Sequence, residues 1–349
     1  MMRCGDFAGF WEIAELIDRF AMLRLKLKTQ PHRRSRRDES EGIMMGSISR
    51  SGEQGPETVT VIIPVYNGER FIRRALDSVF KQTYPSQQVI VIDDGSKDST
   101  REIVANEYGA SVMLIRQQNG GPAKARNAGL RVATGEFIAF LDADDWWEPE
   151  KLASQVQVLR THPDAVGNYT GLRMMSDDGV HLEDLKPADP QTLWPTLRWC
   201  NPGVPPSSVM LRRSALDKLE GGFDERQLGS EDWNLWFRLV AKGPFCMCPE
   251  PLTDYRSSPG GLSGNADHMY DDFMKMLDDV LLADMTGFRR ALWRRRIISY
   301  QAFKACLTAR GAGDKKRERE YMKKSVMHWP SPFWAPERFR FFAVTLLRT

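Results

Sequence analysis

The spacing of apolar residues along the chain changes at about residue 58. From there to residue 141, short β-branched runs alternate with segments whose apolar residues recur at helical spacing. The predicted strands are Val59–Ile63, Val89–Ile92, Val112–Ile115 and Phe137–Leu141. Because strands that alternate with helices of about 10–15 residues form βαβ units, we expect an α/β fold: a mostly parallel sheet flanked by helices.

Apolar periodicity and capping residues predict the helices. Between the strands, helices are predicted over Phe71–Phe80, from an Asp98 cap toward Tyr108, and over Pro122–Ala133. Later helices are predicted to start near Glu148, to run from a Ser230 cap to Ala241, and to span Asp271–Asp284.

The two ends of the chain differ in pattern from this central part. Residues 1–57 predict one amphipathic helix, with apolar residues from Ile13 to Leu23, followed by the basic cluster His32–Arg37 and a disordered linker. Residues 261–349 predict a helical, basic C-terminal extension. We therefore expect an N-terminal extension over 1–57, an α/β domain over 58–260 and a helical region over 261–349.

Composition narrows the class of protein. The chain has 349 residues, of which 42% are hydrophobic and 27% charged, as in ordinary globular proteins and unlike disordered or multi-span membrane proteins. No apolar run reaches the roughly 18 residues that a membrane-spanning helix needs. The five cysteines are scattered and lack zinc-ligand spacing, which favours a reducing, cytoplasmic compartment.

The net charge of +3 conceals an asymmetry. Residues 58–287 carry a net −10, whereas residues 288–349 carry a net +12 and end in a stretch rich in Trp and Phe. Basic residues among aromatics suit an anionic membrane surface, which would place the protein peripherally on the inner face of the membrane. The alternative is a helical cap whose aromatics pack on the α/β domain. We expect no nucleic-acid partner, because no nucleic-acid motif accompanies the charge.

Three acids follow the fourth predicted strand. Ligands of such sheets bind at the carboxyl ends of the strands, which is where Asp142, Asp144 and Asp145 lie. On an extended segment, Asp142 and Asp144 can point the same way and share a hard cation such as Mg²⁺ or Mn²⁺. The alternative is an acidic turn that caps the next helix.

Further polar motifs follow other strands. Asp93 and Asp94 stand in an acidic turn that can accept hydrogen bonds from a base or a ribose, and the alternative is a simple Asx turn. Lys124 and Arg126 lie at a helix start that suits phosphate. No dinucleotide-binding or P-loop motif occurs. Glu231 and Asp232 either favour the helix dipole or provide a general base.

Taken together, these motifs resemble the inverting nucleotide-sugar glycosyltransferases of family 2, which have the GT-A, Rossmann-like fold. The matching segments are Val61–Asn67, Ile92–Ser96, Gly121–Gly129, Phe140–Asp145 and Ser230–Trp233. They occur in family order over about residues 58–255. Each is weak alone, and the series of five is specific.

The resemblance implies a role for each matching residue. Pro64, Tyr66, Asn67, Asp93 and Asp94 would bind the nucleobase and ribose, with uracil the favoured base. Lys124 and Arg126 would assist the diphosphate. Asp142 and Asp144 would form the metal-binding DxD pair, with Asp145 as an alternative ligand. Asp232 would be the catalytic base, supported by Glu231.

The resemblance also implies the chemistry: metal-assisted transfer of a sugar from a UDP-sugar to a glycan or lipid-linked glycan, in cell-surface polysaccharide or lipopolysaccharide synthesis. Pro205–Ser208 would line the acceptor side. Two alternatives remain, a nucleotidyltransferase and a non-catalytic nucleotide- or glycan-binding module of the same fold. The Glu231–Asp232 motif is the feature that a nucleotidyltransferase would not explain.

Overall fold

The computed structural model describes residues 57–187, 189–191, 197–198, 203–219, 221–256 and 266–329. The predicted N-terminal helix, the basic cluster and the linker lie outside these residues, as do the tail aromatics beyond Trp329.

One mixed sheet of nine strands organises the described residues. The strands are β1 (Val59–Val65), β2 (Gln88–Asp93), β3 (Met113–Arg116), β4 (Phe137–Phe140), β5 (Trp146–Trp147), β6 (Gly167–Met175), β7 (His181–Leu185), β8 (Val209–Arg212) and β9 (Phe245–Arg256). Their order is β3-β2-β1-β4-β8-β6-β9-β5, and β7 pairs with β6 outside this path.

All four predicted strands are present, with ends that differ by one or two residues. They pair in parallel, as expected, and bury a β-branched core that includes Val61, Ile63 and Val91 at 0% exposure. The later strands add antiparallel pairs, β4–β8, β6–β8, β6–β7 and β5–β9, which the sequence analysis did not predict. The α/β class is therefore confirmed. β3, β2, β1 and β4 pair only in parallel with one another, whereas the other half of the sheet is mixed and includes the parallel pair β6–β9.

Helices cover the sheet and continue beyond it. They are α1 (Ile72–Phe80), α2 (Thr100–Ile103, followed by a wider turn over Val104–Tyr108), α3 (Pro122–Val132), α4 (Lys151–Thr161), α5 (Arg213–Leu216), α6 (Glu231–Val240), α7 (Ala266–Met276, followed by a wider turn over Leu277–Leu281), α8 (Gly287–Gly311) and α9 (Lys315–His328). Asp98 accepts the N–H of Thr100 at 3.1 Å, but the N-cap residue of α2 is Ser99, so the predicted cap lies one residue too early.

Ser230 stands at the predicted N-cap position of α6 but does not cap the helix through its side chain. Ser230 is fully buried and its side chain makes no capping hydrogen bond to α6. The N–H of Trp233, which an N-cap serine would ordinarily bind, donates instead to Asp232 Oδ1 at 2.6 Å. Asp232, within the first turn of α6, therefore accepts the N–H that a capping serine would bind.

The sheet brings the acidic loops to one edge. Val65 pairs with Asp93 and Ile62 pairs with Phe140, so β1, β2 and β4 end side by side. Among the residues that the structure describes, we find no helix with the length and apolarity needed to cross a membrane.

Candidate active site

The loops after β1 and β2 are joined through Asn67. Its φ of 52° turns the chain sharply at the end of β1. The N–H of Asn67 donates to Ser96 Oγ at 3.0 Å, and its Oδ1 accepts the N–H of Lys97 at 2.8 Å. Tyr66 beside it is 47% exposed. The two loops are therefore joined by hydrogen bonds and expose the ring of Tyr66. Pro64 lies half-buried within β1.

Asp94 holds the loop that leads into α3. Its carboxylate accepts hydrogen bonds from Gln117 Nε2 at 2.7 Å, from the N–H of Gly120 at 3.0 Å and from the N–H of Gly121 at 2.8 Å. Gly121 has a φ of 86°, a conformation that favours glycine. Asp94 is thus already occupied by backbone and side-chain donors.

Asp93 differs from its neighbour. Its Oδ1 accepts the N–H of Ser96 at 2.8 Å, whereas its Oδ2 is buried and has no hydrogen-bond partner among the described residues. Arg116 Nε lies 3.9 Å from that oxygen. A buried acceptor without a partner is costly unless a ligand pairs with it. From the sequence we expected Asp93 and Asp94 to act alike, but in the structure they have different environments.

The acids after β4 stand on a turn and not on the extended segment that we expected. The N–H of Asp145 donates to the carbonyl of Asp142 at 3.0 Å, which closes the turn. Ser207, just before β8, binds this turn through two hydrogen bonds. Its Oγ donates to Asp145 Oδ2 at 2.6 Å and accepts the N–H of Asp142 at 3.0 Å. The backbone N–H of Arg256 donates to Asp145 Oδ1 at 2.9 Å. Both oxygens of Asp145 are therefore engaged inside the protein.

This turn also corrects the expectation for Pro205–Ser208. Ser207 and Ser208 are 0% exposed, and both hydroxyls bond within the protein. The indole Nε1 of Trp147 donates to the carbonyl of Ser207 at 2.8 Å. Ser207 therefore supports the acidic turn, and neither buried serine is open to an acceptor.

Arg256 acts as an internal cation at the acidic turn. Its Nη2 donates to Asp144 Oδ2 at 2.5 Å, and its Nη1 binds Asp177. The guanidinium also stacks over the ring of Phe71, 4.1 Å from its centroid. Burial and the charge of Asp142 raise the pKa of Asp144, while Arg256 lowers it. Burial raises the pKa of Asp145 well above its ordinary value, reinforced by its neighbours Asp144 and Asp142.

Arg126 joins the acidic turn to the motif on α6. Its Nη2 donates to Asp142 Oδ1 and its Nη1 to Glu231 Oε1, each at 2.6 Å. The guanidinium is buried, which lowers its pKa, yet the two carboxylates outweigh this effect and keep it charged. In this arrangement Arg126 neutralises the charges of Asp142 and Glu231. The predicted contact with diphosphate would require these ion pairs to open.

Asp232 is half-buried in the first turn of α6. Burial raises the pKa of its carboxyl to about 7, and the neighbouring charge of Glu231 adds to the shift, whereas the N–H of Trp233 and Arg126 oppose it. A carboxyl that titrates near neutral pH is suited to accept a proton from a hydroxyl.

The residues fit a divalent cation at Asp144 and Asp142. Both oxygens of Asp145 accept hydrogen bonds within the protein, whereas Asp144 and Asp142 are each bonded through one oxygen only in the described part of the chain, which makes these two the better candidates. No group of three or more His, Cys, Asp or Glu residues able to hold a metal occurs among the described residues. A cation here would therefore depend on oxygens of a bound diphosphate to complete its ligand set.

Two further residues at this edge bear on the site. The side chain of Lys124 folds over Gly120, where an added Cβ would lie 2.3 Å from Lys124 Cδ. Tyr255 on β9 is half-buried, and its pKa lies above its ordinary range because of burial and the charges of the acidic turn. Tyr255 and Arg256 were not predicted from the sequence, and Ser207 was given a different role, because no local motif connects these residues to acids that lie far away along the chain.

Comparison with known proteins places this site in context. Residues 60–220 match the family model described as Glycosyl transferase family 2. The uncharacterized glycosyltransferase RT0329 of Rickettsia typhi is 34% identical over 191 residues, which are 52% of this chain and 58% of that protein. The amylovoran biosynthesis glycosyltransferase AmsB of Erwinia amylovora is 31% identical over 211 residues, which are 56% of this chain and 68% of that protein. The chain spans little more than half the length of the R. typhi relative and 32% of one from Rickettsia felis.

Solved structures share the fold. S. aureus TarS in complex with UDP-GlcNAc superposes with a TM-score of 0.57 at 20% identity, over 77% of this chain and 81% of that one. The mannosyltransferase PcManGT from Pyrobaculum calidifontis, in complex with GDP-Man and Mn²⁺, gives a TM-score of 0.51 at 21% identity, over 84% and 86% of the two chains. At these identities the likeness concerns the fold alone, and it confirms the expected GT-A architecture.

Proposed function

The chain belongs to glycosyl transferase family 2, and we propose that it moves a sugar from a nucleotide-diphosphate donor to an acceptor hydroxyl with inversion at C1. A UDP-sugar is the favoured donor. The observation that carries the proposal is the position of Arg126, whose guanidinium binds both Asp142 of the acidic turn and Glu231 beside Asp232. A metal-type acid pair and a carboxyl suited to act as a base are thereby linked at the ligand-binding edge of the sheet.

The nucleoside would bind at the ends of β1 and β2. Asp93 Oδ2, which has no hydrogen-bond partner among the described residues, offers an acceptor for an N–H of the base or a hydroxyl of the ribose. The exposed ring of Tyr66 offers a stacking surface. Pro64 and Asn67 shape this end of the sheet, and Asp94 keeps the neighbouring loop in place. The UDP-GlcNAc bound to TarS and the GDP-Man bound to PcManGT support a donor of this class.

The diphosphate would lie between the start of α3 and the acidic turn. The N-terminus of α3, with Lys124 in its first turn, attracts negative charge. Asp144 and Asp142 would hold Mn²⁺ or Mg²⁺, which when bound offsets the negative charge of the departing diphosphate. The Mn²⁺ in the complex of PcManGT with GDP-Man supports this assignment.

Asp232 would accept the proton of the acceptor hydroxyl. As that proton moves to the free oxygen of Asp232, the acceptor oxygen forms a bond to C1 of the donor sugar and the bond from C1 to the diphosphate oxygen breaks. A single displacement from the opposite face converts an α-linked donor into a β-glycoside. Burial, together with the charge of Glu231 beside it, raises the pKa of Asp232 into the range that suits this proton transfer.

The acceptor we propose is a glycan or lipid-linked glycan in cell-surface polysaccharide or lipopolysaccharide synthesis, consistent with the name of the relative AmsB. Part of the basic charge in 288–349 is used inside the fold, since Arg290 and Arg294 both donate to Asp278. The exposed Lys316 and Lys323 on α9, with Met327 at 76% exposure, remain to face an anionic membrane from the cytoplasmic side.

A panel of nucleotide sugars tests the proposal. We expect Mn²⁺-dependent hydrolysis of at least one UDP-sugar by the full chain, and transfer once an acceptor is supplied. Nucleotide binding with neither hydrolysis nor transfer would favour the non-catalytic binding module. Release of pyrophosphate from a nucleoside triphosphate and a sugar phosphate would favour the nucleotidyltransferase.

A further inference from the structure

Four residues, Arg226–Gly229, lead directly into the motif that carries Asp232. We call this segment the strap. Its first two residues are bonded to helix α7: Lys275 Nζ donates to the carbonyl of Arg226 at 2.7 Å, and the buried Gln227 donates through Nε2 to the carbonyl of Asp272 at 3.1 Å. The strap is therefore attached to the C-terminal helical region before it enters the site.

The second half of the strap is bonded to one carboxylate. Asp272 Oδ2 accepts the N–H of Leu228 at 2.5 Å and the N–H of Gly229 at 2.7 Å. Its Oδ1 accepts Lys275 Nζ at 2.7 Å. Hydrogen bonds to an ionised carboxylate are stronger than neutral ones, and those around Asp272 form at only 2% exposure.

The burial of Asp272 itself calls for an explanation. A carboxylate removed from water is destabilising unless it has charged or hydrogen-bonding partners. Lys275 and the two strap amides supply those partners. The same set of bonds fixes the backbone at Gly229, one residue before Ser230 and two before Glu231. Few other conformations of the strap would satisfy this carboxylate.

The strap also touches the loop that Asp94 organises. Leu228 Cδ2 lies 3.1 Å from the point where a Cβ on Gly121 would stand, and Gly121 is a donor to Asp94. On its other side the strap continues into α6, whose Trp233 ring lies 4.9 Å from Phe273 of α7. One short segment thus lies against the proposed nucleotide loop and carries the proposed base.

We propose that Asp272 is a positioning residue for transfer: by holding the strap, it sets where Asp232 stands relative to the donor. The effect on kcat rests on the proposed function. That Asp272 holds the strap rests on the hydrogen bonds alone. The helical region after β9 thereby completes the active site.

Hydrogen exchange of the full chain tests the fixed strap without reference to activity. In Asp272→Ala the amides of Leu228 and Gly229 lose their acceptor, so we expect them to exchange about 10- to 100-fold faster. Asp272→Asn keeps one acceptor oxygen and should give a smaller increase. Asp271→Asn, an exposed neighbour on the same helix, is the matched control and should leave both amides unchanged.

Kinetics of the same variants test the consequence. We expect Asp272→Ala to lower kcat for transfer by about 10- to 100-fold, since small displacements of a reacting group have effects of this size. Binding of UDP should stay within about twofold of the wild type, because the nucleoside is proposed to bind at the ends of β1 and β2, away from Asp272. Asp272→Asn should recover part of kcat, and Lys275→Met should lower it less than Asp272→Ala.

Two results would overturn the proposal. One is wild-type exchange at Leu228 and Gly229 in Asp272→Ala. The other is a loss of kcat matched by an equal loss of UDP affinity in every Asp272 variant, which marks general unfolding. A wild-type chain that transfers no sugar would overturn the proposed function and with it the kinetic role, while the exchange rates would still decide whether Asp272 holds the strap.

Discussion

Arg126 and Glu231 form a buried ion pair at 2.6 Å although they lie 105 positions apart in the chain. The other terminal nitrogen of Arg126 binds Asp142 at the same distance. One side chain on α3 therefore neutralises an acid on the turn after β4 and an acid at the start of α6. Removal of the guanidinium would leave two carboxylates facing each other across the site.

Substitution of Arg126 is expected to destabilise the fold and abolish transfer together. Arg126→Met removes the cation from a buried pair, a change that typically lowers the free energy of unfolding by about 3–5 kcal/mol. Urea unfolding measures the loss. Arg131→Met, an exposed position on the same helix, is the matched control. Equal unfolding midpoints for the two variants would contradict the role given to Arg126.

Asp232→Asn is expected to separate binding from chemistry. The amide cannot accept the acceptor's proton, so transfer should fall by about 100-fold or more while UDP binding persists. Initial rates with the best donor, together with calorimetric titration of UDP, measure the two quantities. Asp217→Asn, an exposed carboxyl outside the site, serves as the control. Near-normal transfer by Asp232→Asn would rule it out as the base.

The activity should depend on pH through the same carboxyl. Asp232 must be ionised to act as a base, so kcat/KM is expected to rise with pH through about 7. The negative charge of Glu231 raises the pKa of Asp232, so Glu231→Gln should move this ascending limb to lower pH. Glu225→Gln, exposed and nearby, should leave the limb in place. A limb that stays put or moves to higher pH in Glu231→Gln would contradict the assignment.

Arg256 is expected to compete with the metal. It occupies Asp144 Oδ2 at 2.5 Å, so its removal leaves more negative charge for a cation. Arg256→Gln should tighten Mn²⁺ binding in the presence of UDP by about tenfold, and Asp144→Asn should weaken it. Electron paramagnetic resonance of free Mn²⁺ measures both. Arg70→Gln is the control, since Arg70 binds Asp177 and not Asp144; weaker binding in Arg256→Gln would refute the competition.

Stability should fall as pH rises toward neutrality, partly because of Asp254. Burial raises the pKa of this carboxyl to about 7, and Glu148 adds to the shift while Arg173 opposes it. Between about pH 4 and 7 the folded chain therefore keeps a proton that the unfolded chain releases, which lowers the free energy of unfolding as pH rises. Asp254→Asn should flatten this slope in urea titrations across the window, whereas the exposed Asp178→Asn should not.

Local pattern was sufficient for the first half of the fold and for the placement of the acidic residues at one edge of the sheet. Runs such as Val59–Ile63 bury their side chains on both faces of a sheet, and such burial is legible in sequence because it requires consecutive β-branched residues. Once the strands are parallel and adjacent, the acids that follow β2 and β4 must share an edge. Asp93 and Asp142 could therefore be assigned to one site before any contact was known.

Tertiary structure decided what each acid does. Asp93 keeps an unpartnered oxygen while Asp94 is occupied by Gly120 and Gly121, although the two acids are adjacent in sequence. Asp145 accepts a hydrogen bond from Ser207, which lies 62 positions away. These residues meet because β8 lies beside β4 and β9 lies beside β6 in the sheet. The periodicity of a sequence indicates that a strand is buried but not which strand it lies against.

The sequence by itself therefore determined the family, the parallel half of the sheet and the set of acids at its edge, because these depend on local burial and on the order of strands. Only the folded chain decided that Arg126 bridges two of those acids, that Arg256 neutralises a third, and that Asp272 fixes the approach to Asp232. Each of these is a charge buried with a distant partner, and the free energy of burying a charge depends on three-dimensional surroundings that no local pattern encodes.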